Sequence, residues 1–182
     1  MKGLGKLEQT PLSGKMKSNL NFIQRINRFD NGKRKTIIPS SNSIFITYDA
    51  MESPAGPYLL AHALGHAVQV RHGVADVALS TIRANRDNET ALRKDVTRMV
   101  ECIAGVLIAR AGLPAPPLDQ LFDLEPFTDS HWGRDPLRIG PQVTLGMAER
   151  NAWYQKGHAA GHPAACHTTL FSADLVVAAF RE

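Results

Sequence analysis

A chain of 182 residues, 43% of them hydrophobic, is long enough for one domain with a real core and too short for two full-sized ones. No run approaches the roughly 18 apolar residues of a membrane span, and the opening MKGLGKLEQTPLSGKMKSNLNF lacks the apolar stretch of a signal peptide, which leaves the compartment open between cytoplasm and export after processing. The net charge of +4 is unevenly placed: residues 1–36 carry nine Lys or Arg against Glu8 and Asp30, a local +7 that leaves −3 for the remainder.

Residues 1–36 therefore read as a basic arm, with an amphipathic helix expected around NLNFIQRINRF, and residues 37–182 as the folded domain. Such an arm suits an acidic partner, nucleic acid or an anionic surface, but no nucleic-acid module motif accompanies it, which favours a solvated extension. Ile44, Phe45, Ile46 and Thr47 follow a Ser/Asn turn and predict a short strand. SPAGPYLLAHALGHAVQVRHG then predicts a helix, apolar nearly all round and ending near Gly73. Residues 74–88 are polar and carry no strong period.

From Glu89 to Ala111 the apolar positions Leu92, Val96, Met99, Val100, Ile103, Leu107 and Ile108 recur at helical spacing, and Gly112 and Pro114 stop the run. LPAPPLDQLFDLEPF is a proline-rich connector with room for one helical turn. LGMAERNAWYQKGHAAG predicts another helix, and ADLVVAAF closes the chain. Met99 and Trp153 read as core. Two cysteines, Cys102 and Cys166, allow one pairing, and spacing alone does not show that it forms.

The chemistry concentrates in AHALGH. His62 and His66, four apart on a helix, share a face and can offer imidazole nitrogens to one ion. A third protein ligand would leave one tetrahedral position for water, the arrangement of catalytic zinc sites. Glu101 is the candidate for it, an acid in the most apolar part of the second long helix, where a carboxylate needs an ion or a partner. The competing reading makes Glu101 an ion-pair partner of Arg98 or Arg110, and the two histidines ordinary core residues. In a zinc peptidase a glutamate after the first histidine takes a proton from the attacking water. Here that position is Ala63, which cannot do so. A lost general base removes about 10²–10⁴-fold in rate.

LLAHALGHAVQVRHG resembles the AHExGHxVQ helix of the neutral zinc metallopeptidase family of bacteria, including Val68 and Gln69 after the second histidine. VECIAG, residues 100–105, resembles that family's ADCxAG, with Glu101 on the acidic position and Cys102 on the cysteine. AERNAWYQKGHAAGHPAACHTTLF, residues 148–171, is similar to its QRxxWFxxGxxSGDPAxCxTF through Arg150, Trp153, Gly157, Gly161, Pro163, Ala164, Cys166, Thr168 and Phe171. The resemblance runs from about residue 37 to residue 171. It implies a mostly helical α+β fold, a zincin-like metallopeptidase domain with a small sheet beside the active-site helix. It also implies a zinc ion on His62, His66 and Glu101, and a Cys102–Cys166 bridge, for which free buried cysteines are the alternative.

Two departures bear on activity. Ala63 stands in the glutamate position, and Leu145 stands where the family has a histidine before the tryptophan helix. If that histidine steadies the oxyanion, this chain either lacks that role or fills it with another group such as His131, Tyr154 or His158, and an ordinary surface or packing role is the alternative for each. Three functions are expected to compete. The first is a zinc-dependent endopeptidase acting on peptide or protein substrate, inactivated in this chain at position 63. The second is a natural pseudopeptidase that uses zinc to hold a peptide or partner-binding fold. The third is a nucleic-acid or anionic-surface binder working through the basic arm.

Overall fold

The computed structural model describes the backbone of residues 26–30, 33–40 and 43–46, and residues 48–127 and 143–179. The described chain is mostly helical. Its strands are β1 (Ile26–Asp30), β2 (Lys33–Ser40) and β3 (Ser43–Ile46). They pair antiparallel in the order β1-β2-β3, with Ile37 opposite both Ile26 and Ile46. Residues 26–29 are thus extended where the sequence suggested a helix. Asn31-Gly32 between β1 and β2 is a two-residue hairpin signal that outweighs the helical spacing of a short apolar set.

The helices are α1 (Tyr48–Glu52), α2 (Gly56–Arg71), α3 (Val74–Ala84), α4 (Glu89–Arg110), α5 (Leu118–Leu121), α6 (Met147–Ala160) and α7 (Asp174–Ala179). Among the described residues no helix is long and apolar enough to cross a membrane. α2 begins with Pro57 in its first turn, where a missing N–H costs nothing, and ends as Gly73 takes φ 74°, a left-handed turn that starts α3 at once. Helix α3 corrects the reading of residues 74–88 as aperiodic. Val74, Ala78 and Ile82 recur every four residues and are its buried face, with Ala75 and Leu79 packed beside them, so the segment does carry a helical period.

α4 is the central element. Val96, Met99, Cys102, Ile103 and Val106 join a core with α3, Phe171 and Val176. On another side Ala104 and Ile108 pack with Ala50, Tyr58, Leu59, Ala63, Leu118, Phe127 and Tyr154. Met99 is fully buried, as expected, while Trp153 is only partly so and carries Lys156 over its ring at 4.0 Å.

Glycine sets how closely α2 and α6 approach α4. A Cβ on Gly105 would stand 2.0 Å from the Tyr154 carbonyl oxygen, and one on Gly157 would stand 1.9 Å from that of Cys102. On the other side, a Cβ on Gly65 would meet the Val100 carbonyl at 3.2 Å. The α4–α6 crossing is therefore a backbone-to-backbone contact that tolerates no side chain at either glycine.

Cys102 and Cys166 form a disulfide with a Cα–Cα separation of 5.4 Å, tying α4 to the 3₁₀ turn Pro163–Cys166 after α6. The bridge spans 64 residues, and closing a loop of that size in the unfolded chain contributes about 4 kcal/mol in the chain-entropy account. Asp95 secures the same region. It accepts from the Leu170 amide at 2.9 Å and from Arg98 at 2.6 Å, and Arg98 also donates to Glu149 of α6 at 2.7 Å.

Gly157→Ala and Gly105→Ala should each lower folding free energy by at least about 1–3 kcal/mol, the usual cost of overpacking, with the backbone clash driving the loss higher. Urea denaturation measures it. Reduction of Cys102–Cys166 should lower the same midpoint without altering the far-ultraviolet dichroism of the folded state at low denaturant.

Candidate metal site and its buried carboxylate

Tyr58, His62 and His66 stand four residues apart on α2, so their side chains form one row along the helix. Opposite that row runs α4. Gln69 donates to the Val96 carbonyl at 3.0 Å, Gly65 lies against Val100, and His62 and Tyr58 meet Glu101. The small residue at position 65 brings the two backbones close enough for side chains one turn away to touch.

The histidines are 1% and 8% exposed, and their Nε2 atoms stand 3.2 Å apart with the rings nearly perpendicular at 78°. Two nitrogens on one tetrahedral zinc, each about 2.0–2.1 Å from the metal, are separated by about 3.3 Å. The pair therefore has the spacing of two ligands to one ion. Phe127 stacks on the His62 ring at 4.0 Å and 19° between planes, closing that face of the imidazole.

Glu101 is fully buried and contacts His62 on its other nitrogen, with Oε1 3.1 Å from Nδ1. That approach lies outside the line of a full hydrogen bond. The same Oε1 accepts from Nη1 of Arg150, itself fully buried, and Oε2 accepts from the Tyr58 hydroxyl at 2.8 Å. Arg150 is further held by Glu125, which accepts from Nη2 at 2.9 Å and Nε at 3.2 Å, and by the Phe127 carbonyl at 3.0 Å. Glu125 also accepts from the amides of Leu145 and Gly146 at 3.1 and 3.2 Å, anchoring the start of α6.

Glu101 is ion-paired, as the competing reading held, but with Arg150. The arginines expected for it are engaged elsewhere, Arg98 with Asp95 and Glu149, and Arg110 beside the Gly161 carbonyl at 3.4 Å. Burial alone would raise the Glu101 carboxyl. The charge of Arg150, with the hydrogen bond from Tyr58 and the nearby His62 ring, more than offsets it and holds the group at about 2. Burial, and then the Glu101 carboxylate, push the Tyr58 hydroxyl well above its ordinary value, so it stays a donor.

The structure brings together His62, His66 and Glu101 among the residues singled out from the sequence, though Glu101 meets the face of His62 away from His66. No set of three or more His, Cys, Asp or Glu side chains grouped to hold a metal occurs among the described residues. Ala63 is 5% exposed within the apolar cluster of Tyr58, Leu59 and Phe127.

Of the candidates for an oxyanion donor, His131 lies outside the described residues. Tyr154 is buried, edge-on to Tyr58 at 5.2 Å, with its hydroxyl pushed to about 12 by burial and then by Glu101. His158 donates to the Leu113 carbonyl at 3.0 Å, past the C-terminus of α4, where it fastens α6 to the connector. Sequence reasoning missed Tyr58, Glu125 and Phe127 altogether and named Arg150 only as a point of likeness. The i−4 position of Tyr58 relative to His62 was a usable signal, whereas the distant Glu125 and Phe127 offered none.

Comparison with known protein families, curated proteins and solved structures returns no match.

Arg150→Met removes one partner of a fully buried pair and should cost about 3–5 kcal/mol, read from urea denaturation. Because Glu101 titrates lower in the folded chain than the roughly 4.3 of a free glutamate, its contribution is fully present above about pH 4.5. It is lost as pH falls through about 2. Stability measured at pH 6, 4 and 2 should drop over that window, and a Glu101→Gln/Arg150→Met double variant should drop less.

Proposed function

We propose that the chain is a zincin-like domain of the metallopeptidase type that holds a zinc ion on His62 and His66 and, lacking a base at position 63, acts as a zinc-stabilised peptide- or protein-binding module. The observation that carries this reading is the 3.2 Å approach of the two Nε2 atoms in a buried setting, with Ala63 packed into apolar surroundings beside them. Two imidazoles aimed at one point in a nearly dry interior are a donor set that suits zinc. The contacts of β3 with α2 and of β2 with α1 accord with the zincin reading.

A bound zinc ion supplies Lewis acidity and an activated water for amide hydrolysis. The residues of this chain prepare for that chemistry incompletely. His62 and His66 supply nitrogen ligands, Phe127 excludes water from the His62 face, and Arg150 with Tyr58 keeps Glu101 ionised. The proton that a general base would take has no acceptor at position 63, where a methyl group stands.

A second reading, a peptidase whose hydrolysis returns once the base is restored, is favoured by the persistence of both buried histidines beside a buried carboxylate.

Zinc should bind the unaltered chain in a one-to-one ratio by equilibrium dialysis with metal analysis, and His62→Ala or His66→Ala should weaken it at least a hundredfold. Absence of binding by the folded chain would remove the proposal. The Ala63→Glu variant, confirmed as folded, is expected to leave an unfolded protein substrate intact. Chelator-sensitive cleavage by that variant alone would favour the second reading.

A further inference from the structure

Glu101 is the acid that spacing and resemblance nominate as the third zinc ligand, and its contacts argue for a different task. The two nitrogens of an imidazole point away from each other, so a group on Nδ1 cannot share the ion that Nε2 ligates. Glu101 Oε1 is 3.1 Å from His62 Nδ1, within reach of it though off the line of a full hydrogen bond, while His62 Nε2 faces His66. Both carboxylate oxygens are engaged. Oε1 already serves Arg150, and Oε2 accepts from Tyr58. Moving Glu101 round to the Nε2 side would strip a fully buried guanidinium of its charge partner and leave the buried Tyr58 hydroxyl without its acceptor. Glu125 and the Phe127 carbonyl accept from Arg150 in turn, so the guanidinium that holds the carboxylate is itself braced.

From this arrangement, and resting on the proposed zinc reading, we infer that Glu101 is a positioning residue on the Nδ1 side of His62 and does not ligate the metal. Its carboxylate selects the tautomer that carries hydrogen on Nδ1, raises the donor strength of Nε2 and fixes the ring toward His66, the usual service of a carboxylate behind a ligating histidine. Arg150 and Tyr58 act one step further out, keeping the carboxylate ionised and oriented. The zinc would then have two ligands from the described residues, and its other positions would be filled by water, by a partner's side chain or by other groups of the chain.

The test is cobalt(II) titration followed by absorption spectroscopy, with the unaltered chain beside the double variants Glu101→Gln/Arg150→Met and Glu101→Leu/Arg150→Met. Replacing Arg150 in both avoids stranding its charge, and the glutamine keeps an acceptor for Nδ1 that leucine lacks. The expected result is an unchanged visible band pattern in all three. Affinity should fall about ten- to a hundredfold for the leucine variant and less for the glutamine variant. A changed band pattern in both variants, or a loss beyond about a thousandfold, would show Glu101 to be a ligand and overturn the inference while leaving the zinc reading intact. No cobalt or zinc binding by the unaltered chain would overturn both.

A second measurement needs no substitution. In the zinc-loaded chain labelled with nitrogen-15 at histidine, His62 should show a slowly exchanging, hydrogen-bonded Nδ1 proton. A rapidly exchanging or missing Nδ1 proton would overturn the inference.

Discussion

The pairing of Glu101 with Arg150 is the contact on which the arrangement of α2, α4 and α6 turns. A carboxylate and a guanidinium, both fully buried, would each cost several kcal/mol to bring out of water, and the cost is tolerable only because every neighbouring donor and acceptor is supplied. Tyr58 comes from α2, Glu101 from α4, Arg150 from α6, and Glu125 with the Phe127 carbonyl from the connector between α5 and α6. Four separate stretches of chain are therefore committed to one polar cluster, and His62 is attached to its edge.

Close packing is what makes that cluster reachable. The α4–α6 crossing is set by two glycines whose missing side chains let carbonyl oxygens come within contact of Cα atoms, and the disulfide at Cys102 fastens the same stretch of α4. Glu101 lies one residue from Cys102 and one helical turn from Gly105, so the residues that hold the helices together also aim the carboxylate. Gly65 plays a lesser part on the α2 side, one residue from His66. Structural and chemical roles are thus assigned to interleaved positions on the same helices, and a change in helix packing is expected to reach the histidines through a single turn.

Several parts of this architecture were legible beforehand because they depend on local periodicity or on strong breakers. Helix α4 was bounded to within a residue by its apolar spacing and by Gly112 and Pro114, and the end of α2 to within two residues by Gly73. Helix α3 was missed although Val74, Ala78 and Ile82 recur at helical spacing, and β1 because its strand character rests on pairing with β2. Glu101 was recognised as anomalous from its apolar neighbours alone, yet its partner was sought on the same helix, at Arg98 and Arg110. A helical neighbour is near in sequence but points along the helix surface, whereas Arg150 reaches Glu101 from 49 residues away across the crossing of α4 with α6.

By itself, the sequence determined that His62 and His66 share a helix face, that position 63 has no acid to offer, and that an ionised group on α4 would need burial with a partner. These follow from helical geometry and from the chemistry of the side chains, which no fold can alter. The tertiary structure decided which partner, and on which side. It paired Glu101 with Arg150 and Tyr58, turned the two Nε2 atoms toward each other, and set the carboxylate against Nδ1. Those choices depend on how closely three helices approach, a distance fixed by glycines and carbonyls far apart in the chain, which no local pattern of residues encodes.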